Sequence, residues 1–114
     1  MRKFAFTLDL KNDEKLIAEY EQWHKKVWPG VTFSLIASGI LNMEIYRVNT
    51  RLFMMLEVDS DFSFEKKTAT EQANSRYQEW EKLMSTYQES LAFAKPGEKW
   101  VLMNKLFDLR NGLE

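Results

Sequence analysis

Residues 40–58 read ILNMEIYRVNTRLFMMLEV, and the fold follows from how this stretch is parsed. Leu41, Met43 and Ile45 alternate with Asn42, Glu44 and Tyr46; after the polar Asn49-Thr50, Leu52, Met54, Leu56 and Val58 take up the alternation again. A period of two marks strands with one buried side. Two such runs, at 40–48 and 52–58, separated by a short polar turn, predict a β-hairpin. Upstream, residues 2–10 (RKFAFTLDL) set Phe4, Phe6, Leu8 and Leu10 against Lys3, Ala5, Thr7 and Asp9, which predicts another strand. Lys11-Asn12-Asp13 is turn chemistry, and either Asn12 or Asp13 suits a helix N-cap. From Glu14 the period changes: Leu16, Ile17, Tyr20, Trp23, His24, Val27 and Trp28 recur at three- and four-residue steps, an amphipathic helix. Pro29 interrupts it, lacking an amide hydrogen. The same residue fits the first position of a continuation through Val31, Leu35 and Ile36, closed by Gly39.

Downstream of the hairpin, SDFSFEKKTAT is capped and helix-prone, and Asn74-Ser75 caps a helical stretch through Tyr77, Trp80, Leu83, Met84 and Tyr87. Pro96-Gly97 makes 88–98 a loop, and residues 99–108 are expected to form a last strand. The order β-α-β-β-α-β is the split βαβ pattern: α+β, ferredoxin-like, a four-stranded antiparallel sheet with helices on one face. Residues 1–114 make a single domain. The uncovered sheet face carries bulky residues from several strands, a surface that two copies would bury sheet to sheet. The expectation is a homodimer, a dimeric α/β barrel.

Composition narrows the chemistry. Sixteen basic residues against seventeen acidic ones give a net charge of −1, too little field to favour nucleic acid or an anionic membrane. Without cysteine there is no disulfide, thiol nucleophile or zinc-thiolate site, and one histidine cannot build a multi-histidine cage. Four glycines at 30, 39, 97 and 112 make no phosphate loop. Asp59, Asp61 and Glu65 carry cation donors in principle, but a capped, solvated helix start is the reading preferred for them. No apolar run is long enough for a bilayer. The apolar residues at the N-terminus are broken by Asp9 and Lys11, unlike a signal peptide. A cytoplasmic protein is expected.

The informative segment is YEQWHKKVWPG, residues 20–30. Tyr20, His24 and Trp28 stand at i, i+4 and i+8, one stripe of a helix. Histidine is the side chain suited to donating or accepting a proton in neutral water, a phenol one turn away can bond a hydroxyl, and tryptophan offers a flat apolar face. A lone histidine among core-facing aromatics is more often a satisfied structural residue, so the spacing alone does not assign the role. Trp80 and Glu81 are adjacent in a helix and diverge by about 100°, so one lies at the edge of whatever the other is central to.

In order, RKFAFTLDL, YEQWHKKVWPG, GILNMEIYR, RLFMMLEV and QEWEKLM resemble the L-rhamnose mutarotase family, from Arg2 to about Leu109. The Tyr-x-x-x-His-x-x-x-Trp-Pro stretch is the specific part. The resemblance implies ferredoxin-like dimers that interconvert the α and β anomers of a 6-deoxy sugar with neither cofactor nor metal. It puts the proton donor on His24 and a substrate-contacting tyrosine on Tyr20. Where rhamnose-acting members carry a second-strand tyrosine, this chain has Met43; where they carry paired tryptophans, it has Trp80-Glu81. The acid–base position is intact and the pocket wall altered, so L-rhamnose is the expected substrate and L-fucose the alternative. Trp80 is assigned as stacking platform, Trp28 as a further wall, and Glu81 as hydroxyl ligand or partner base. Two other readings fit a lone histidine in an aromatic pocket: a cofactor-independent oxygenase of the same barrel architecture, and a non-catalytic sugar-binding module.

Overall fold

The protein's computed structural model describes residues 2–112, with the hairpin at its centre. The chain runs β1 (Arg2–Leu10), α1 (Glu14–His24), α2 (Pro29–Ala37), β2 (Ile40–Val48), β3 (Arg51–Val58), α3 (Phe64–Gln72), α4 (Ser75–Ser85), β4 (Gln88–Glu89), β5 (Val101–Leu102) and α5 (Leu109–Gly112). β3 lies between β2 and β1, antiparallel to both. Asn49 turns the hairpin in the left-handed region, at φ 53°, a conformation asparagine tolerates better than most residues.

Register sorts the faces. Met54 stands between Phe6 and Ile45, and Leu56 between Phe4 and Met43. These even-numbered β3 positions, with Leu52 and Val58, are buried beneath the helices. A bulge between Ile40 and Asn42 corrects the register at the start of β2 and leaves Leu41 exposed. α4 contributes Tyr77, Trp80 and Met84 to the core, three- and four-residue steps on one face. Three helices start on side-chain caps: Asp13 accepts from the Leu16 amide, Ser63 from Lys66 and Asn74 from Tyr77, each at 3.0 Å. α2 closes at Gly39, φ +95°, where a Cβ would stand 2.9 Å from Asp59 Oδ1.

The boundaries differ from the sequence reading in several places; α4, for one, stops at Ser85, short of the expected Tyr87. The first helix ends at His24 rather than reaching Trp28. Trp28 is extended at φ −60°, ψ 135°, as a residue before proline must be, because the proline ring disfavours the helical region there. Tyr20 and His24 therefore share a helix stripe and Trp28 does not. The last strand, expected over 99–108, is cut to Val101–Leu102, and Gln88–Glu89, expected to lie in a loop, form a separate short strand. Gln88 and Glu89 pair with Leu10 and Asp9, whereas Val101 and Leu102 pair with Thr7 and Phe6. Both pieces occupy the same edge of β1, the fourth position of the sheet. Residues 90–100 leave the ladder between them, turning through Pro96 and Gly97. Met103 makes one further bond, to the Ala5 oxygen at 2.8 Å. Residues 103–108 form no strand, and Leu106 is 97% exposed.

The opposite sheet face is uncovered. It carries Tyr46, Val48, Phe53 and Met55, with ion pairs Lys3–Glu57 and Arg51–Asp9 directly across the strands. No helix among the described residues is long and apolar enough to cross a membrane.

Candidate functional site

Between the helical face of the sheet and the helices lies a cavity of about 300 Å³, at the small end of the range for ligand sites. Met43, Ile45, Met54 and Leu56 supply an apolar floor. The strands place them there through the alternation that buries β3. Polar groups come from the helices around it, and α1 brings Tyr20 and His24.

His24 occupies the last turn of α1, its ring centroid 4.5 Å from that of Tyr20 and 5.6 Å from Trp80. Its Nδ1 lies 2.8 Å from the backbone oxygen of Tyr20. A carbonyl oxygen only accepts, so Nδ1 carries the hydrogen and Nε2 is the nitrogen left for proton exchange. The Tyr20 phenol is buried, and that burial is the main reason its pKa is pushed up to about 12. A hydrogen bond from Gln88 opposes the shift, and the negative charge of Glu81 adds to it. Gln88 Nε2 donates to the phenol oxygen at 3.4 Å, while Gln88 Oε1 is buried without a partner. The phenol thus keeps its hydrogen at neutral pH and serves as a donor rather than a base.

α4 turns both Trp80 and Glu81 toward the cavity. The expected divergence of adjacent helical residues holds, but the cavity is wide enough to receive both. Burial raises the Glu81 carboxyl above the ordinary carboxylate range; the Lys99 and Lys67 ammonium groups pull against that, and Glu71 pushes with it. Tyr77, one turn before Glu81, is also raised, first by burial and then by the charges of Glu81 and Glu71.

Trp28 stands apart. Its ring packs edge-on against Trp80 at 5.1 Å and Trp23 at 6.1 Å, with the Arg76 guanidinium 3.7 Å over it. It backs Trp80 and is not among the cavity's lining side chains. Residues 20, 24, 43, 80 and 81 are brought to one cavity, as the sequence reading expected. Lys67, Glu71, Tyr77 and Gln88 line it too and were not expected. Gln88 was hidden by the loop assignment over 88–98. The Lys67–Glu71 pair has a legible signal in retrospect: FEKKTATEQ is a helix without an apolar stripe. Asp59 Oδ1 accepts from the Asp61 amide at 3.1 Å within a turn. Among the described residues no group of three or more His, Cys, Asp or Glu is disposed to hold a metal.

Known proteins share this architecture and sequence. A solved L-rhamnose mutarotase of Formosa agariphila superposes with a TM-score of 0.69, at 17% identity over 95% of this chain and 98% of that one. Tetracenomycin F2 cyclase of Streptomyces glaucescens superposes at 0.59 with 14% identity, covering 95% and 96%. At such identities these likenesses concern the fold alone. In sequence, an L-fucose mutarotase of Xanthomonas campestris pv. campestris is 40% identical over 111 residues, 96% of this chain and 89% of that protein. A UPF0734 protein of Dictyostelium discoideum is 38% identical over 116 residues, 95% and 90%. The family model described as L-rhamnose mutarotase matches residues 3–109, and the chain belongs to that family.

Proposed function

We propose that this protein is an aldose mutarotase that interconverts the α and β anomers of a 6-deoxy-L-hexose, with L-fucose placed ahead of L-rhamnose. The observation that carries the reading is the His24 ring at the cavity wall, with Nδ1 committed to the Tyr20 carbonyl and Nε2 free. The order of the two sugars follows the L-fucose mutarotase at 40% identity, together with Met43 and Glu81 in the altered wall.

Mutarotation needs one proton delivered and one removed. Protonated His24 gives the Nε2 hydrogen to the pyranose ring oxygen while the Glu81 carboxylate takes the anomeric hydroxyl hydrogen. The bond from C1 to the ring oxygen breaks and the open-chain aldehyde forms. Rotation about C1–C2 presents the other carbonyl face, and the ring closes with both protons retracing their paths. The catalyst is regenerated and nothing is consumed. Tyr20 donates to a sugar oxygen and fixes the pose, and Trp80 offers its ring to the sugar's C–H face.

The protein is read as a homodimer packed through the uncovered sheet face. Support comes from Tyr46 and Val48, 56% and 74% exposed on that face, and from the exposed Met103, Leu106, Phe107 and Leu109 beyond β5. Exchange spectroscopy on the anomeric NMR resonances of free L-fucose and L-rhamnose tests the activity, with accelerated exchange as the expected result. Oxygen uptake on aromatic substrates, or sugar binding with no acceleration, would favour the oxygenase or the binding module instead.

A further inference from the structure

α3 faces the cavity with charge. Its partly buried positions are Lys67, Thr70 and Glu71, spaced three and four apart, and none of its residues is buried outright. A helix docked for stability turns an apolar stripe inward; this one turns an ion pair inward. Lys67 Nζ contacts Glu71 Oε2, with side chains only 21% and 23% exposed, whereas the Arg76–Glu79 pair of α4 lies open at 52% and 61%. Holding such a pair out of water costs stability unless its remaining valences are used.

The pair is also directed at the rest of the site. Lys67 Nζ lies 5.9 Å from the Tyr77 ring centroid. Glu71 and Glu81 both act on the Tyr77 phenol by charge and hydrogen bonding. Glu81 feels the charges of Lys67 and Glu71, and Tyr20 in turn feels that of Glu81. His24 and Tyr20 enter from α1, Lys67 and Glu71 from α3, and Glu81 stands electrostatically between them.

We propose that Lys67 and Glu71 are the specificity clamp of the sugar site, reading the hydroxyls on the side of the pyranose remote from the anomeric carbon. The ammonium donates to one sugar oxygen and the carboxylate accepts the hydrogen of its neighbour, the complementary pair that a vicinal diol requires. L-Fucose and L-rhamnose differ in configuration at C2 and C4. C2 adjoins the reacting centre, so the clamp discriminates at C4. This inference rests on the mutarotase reading above.

The test compares wild type with Lys67→Met, Glu71→Gln and the double variant by anomer-exchange NMR on L-fucose, L-rhamnose and 4-deoxy-L-fucose. Each single substitution should lower kcat/KM on the preferred sugar by about 10- to 100-fold, the range for a lost hydrogen bond to a charged group. The loss should appear mainly in KM, the preference between the two sugars should shrink, and the 4-deoxy sugar should be much less affected. The double variant removes both charges together, so it keeps the helix free of an unpaired ion, and thermal melting checks its fold. Wild type active on a 6-deoxy sugar, with variants equally impaired on all three substrates or unimpaired on both L-fucose and L-rhamnose, would overturn the clamp alone. Wild type inactive on every sugar would overturn the mutarotase reading and the clamp with it.

Discussion

The guanidinium of Arg76 lies 3.7 Å from the centroid of the Trp28 ring and clamps the start of α4 onto the start of α2. Trp28 is held extended by Pro29, and its ring backs Trp80, which in turn borders His24. The same junction is tied by Asn74 Nδ2 donating to the Gly30 oxygen at 3.2 Å, and a Cβ on Gly30 would stand 2.8 Å from Arg76 Cγ. Arg76 thus positions the wall behind the histidine without touching the cavity.

Replacing Arg76 by alanine removes that cation–π contact. The expected loss is about 0.5–2 kcal/mol of stability, read as a melting temperature lower by several degrees. Glu79→Ala, which breaks only the exposed ion pair of Arg76, should cost less than about 1 kcal/mol. Equal effects from the two substitutions would assign the contribution to the ion pair instead of the ring.

Glu81 should make the fold less stable as pH rises. Its carboxyl is raised in the folded protein, so between the unfolded and folded pKa values the native state holds more protons than the unfolded state. Stability is then fully present below the ordinary carboxylate range and lost as pH climbs through the raised value. Glu81→Gln, which cannot ionise, should melt higher than wild type near neutrality, with the difference closing in acid. A difference that widens in acid would mean the charged form is the stabilised one.

The same shift orders the activity profile. If Glu81 accepts the anomeric proton, kcat/KM should fall on the acid side at a pH above that of an ordinary carboxylate, and Glu81→Gln should lose that limb along with most of the rate. Tyr20, at about 12, should contribute no limb in the neutral range. Tyr20→Phe is therefore expected to lower the rate at every pH while leaving the shape of the profile unchanged.

Oligomeric state tests the sheet face. The native protein should run in solution at twice the 13.6 kDa chain mass. Tyr46→Lys with Val48→Lys places two charges on the uncovered face and should give a folded monomer by light scattering. A native protein that is already monomeric would remove the face-to-face dimer.

Much of this was legible from spacing. The hairpin at 40–58 and the strand at 2–10 stand where alternation puts them, because a half-buried strand has no other way to write its two faces. Helix α1 was overextended through Val27 and Trp28, whose apolar spacing continues while the residue before Pro29 is barred from the helix. The apolar alternation over 99–108 promised one strand, but only Val101 and Leu102 pair in the sheet, and side-chain period carries no information about which edge a backbone finds. Tyr20, His24, Met43, Trp80 and Glu81 could be picked out from residue type and family resemblance. Lys67 and Glu71 were harder to find: an i,i+4 ion pair in sequence looks the same whether it faces water or a cavity, and only the missing apolar stripe of α3 hints that this one turns inward.

The most direct test is saturation-transfer NMR on the anomeric protons of L-fucose with wild type and His24→Ala, each verified as folded by circular dichroism. Exchange should be accelerated by wild type and reduced by about 10²–10⁴-fold in the variant, the usual worth of a positioned acid–base group. A folded His24→Ala protein that exchanges the anomers at the full native rate would contradict the assignment of the imidazole to proton transfer.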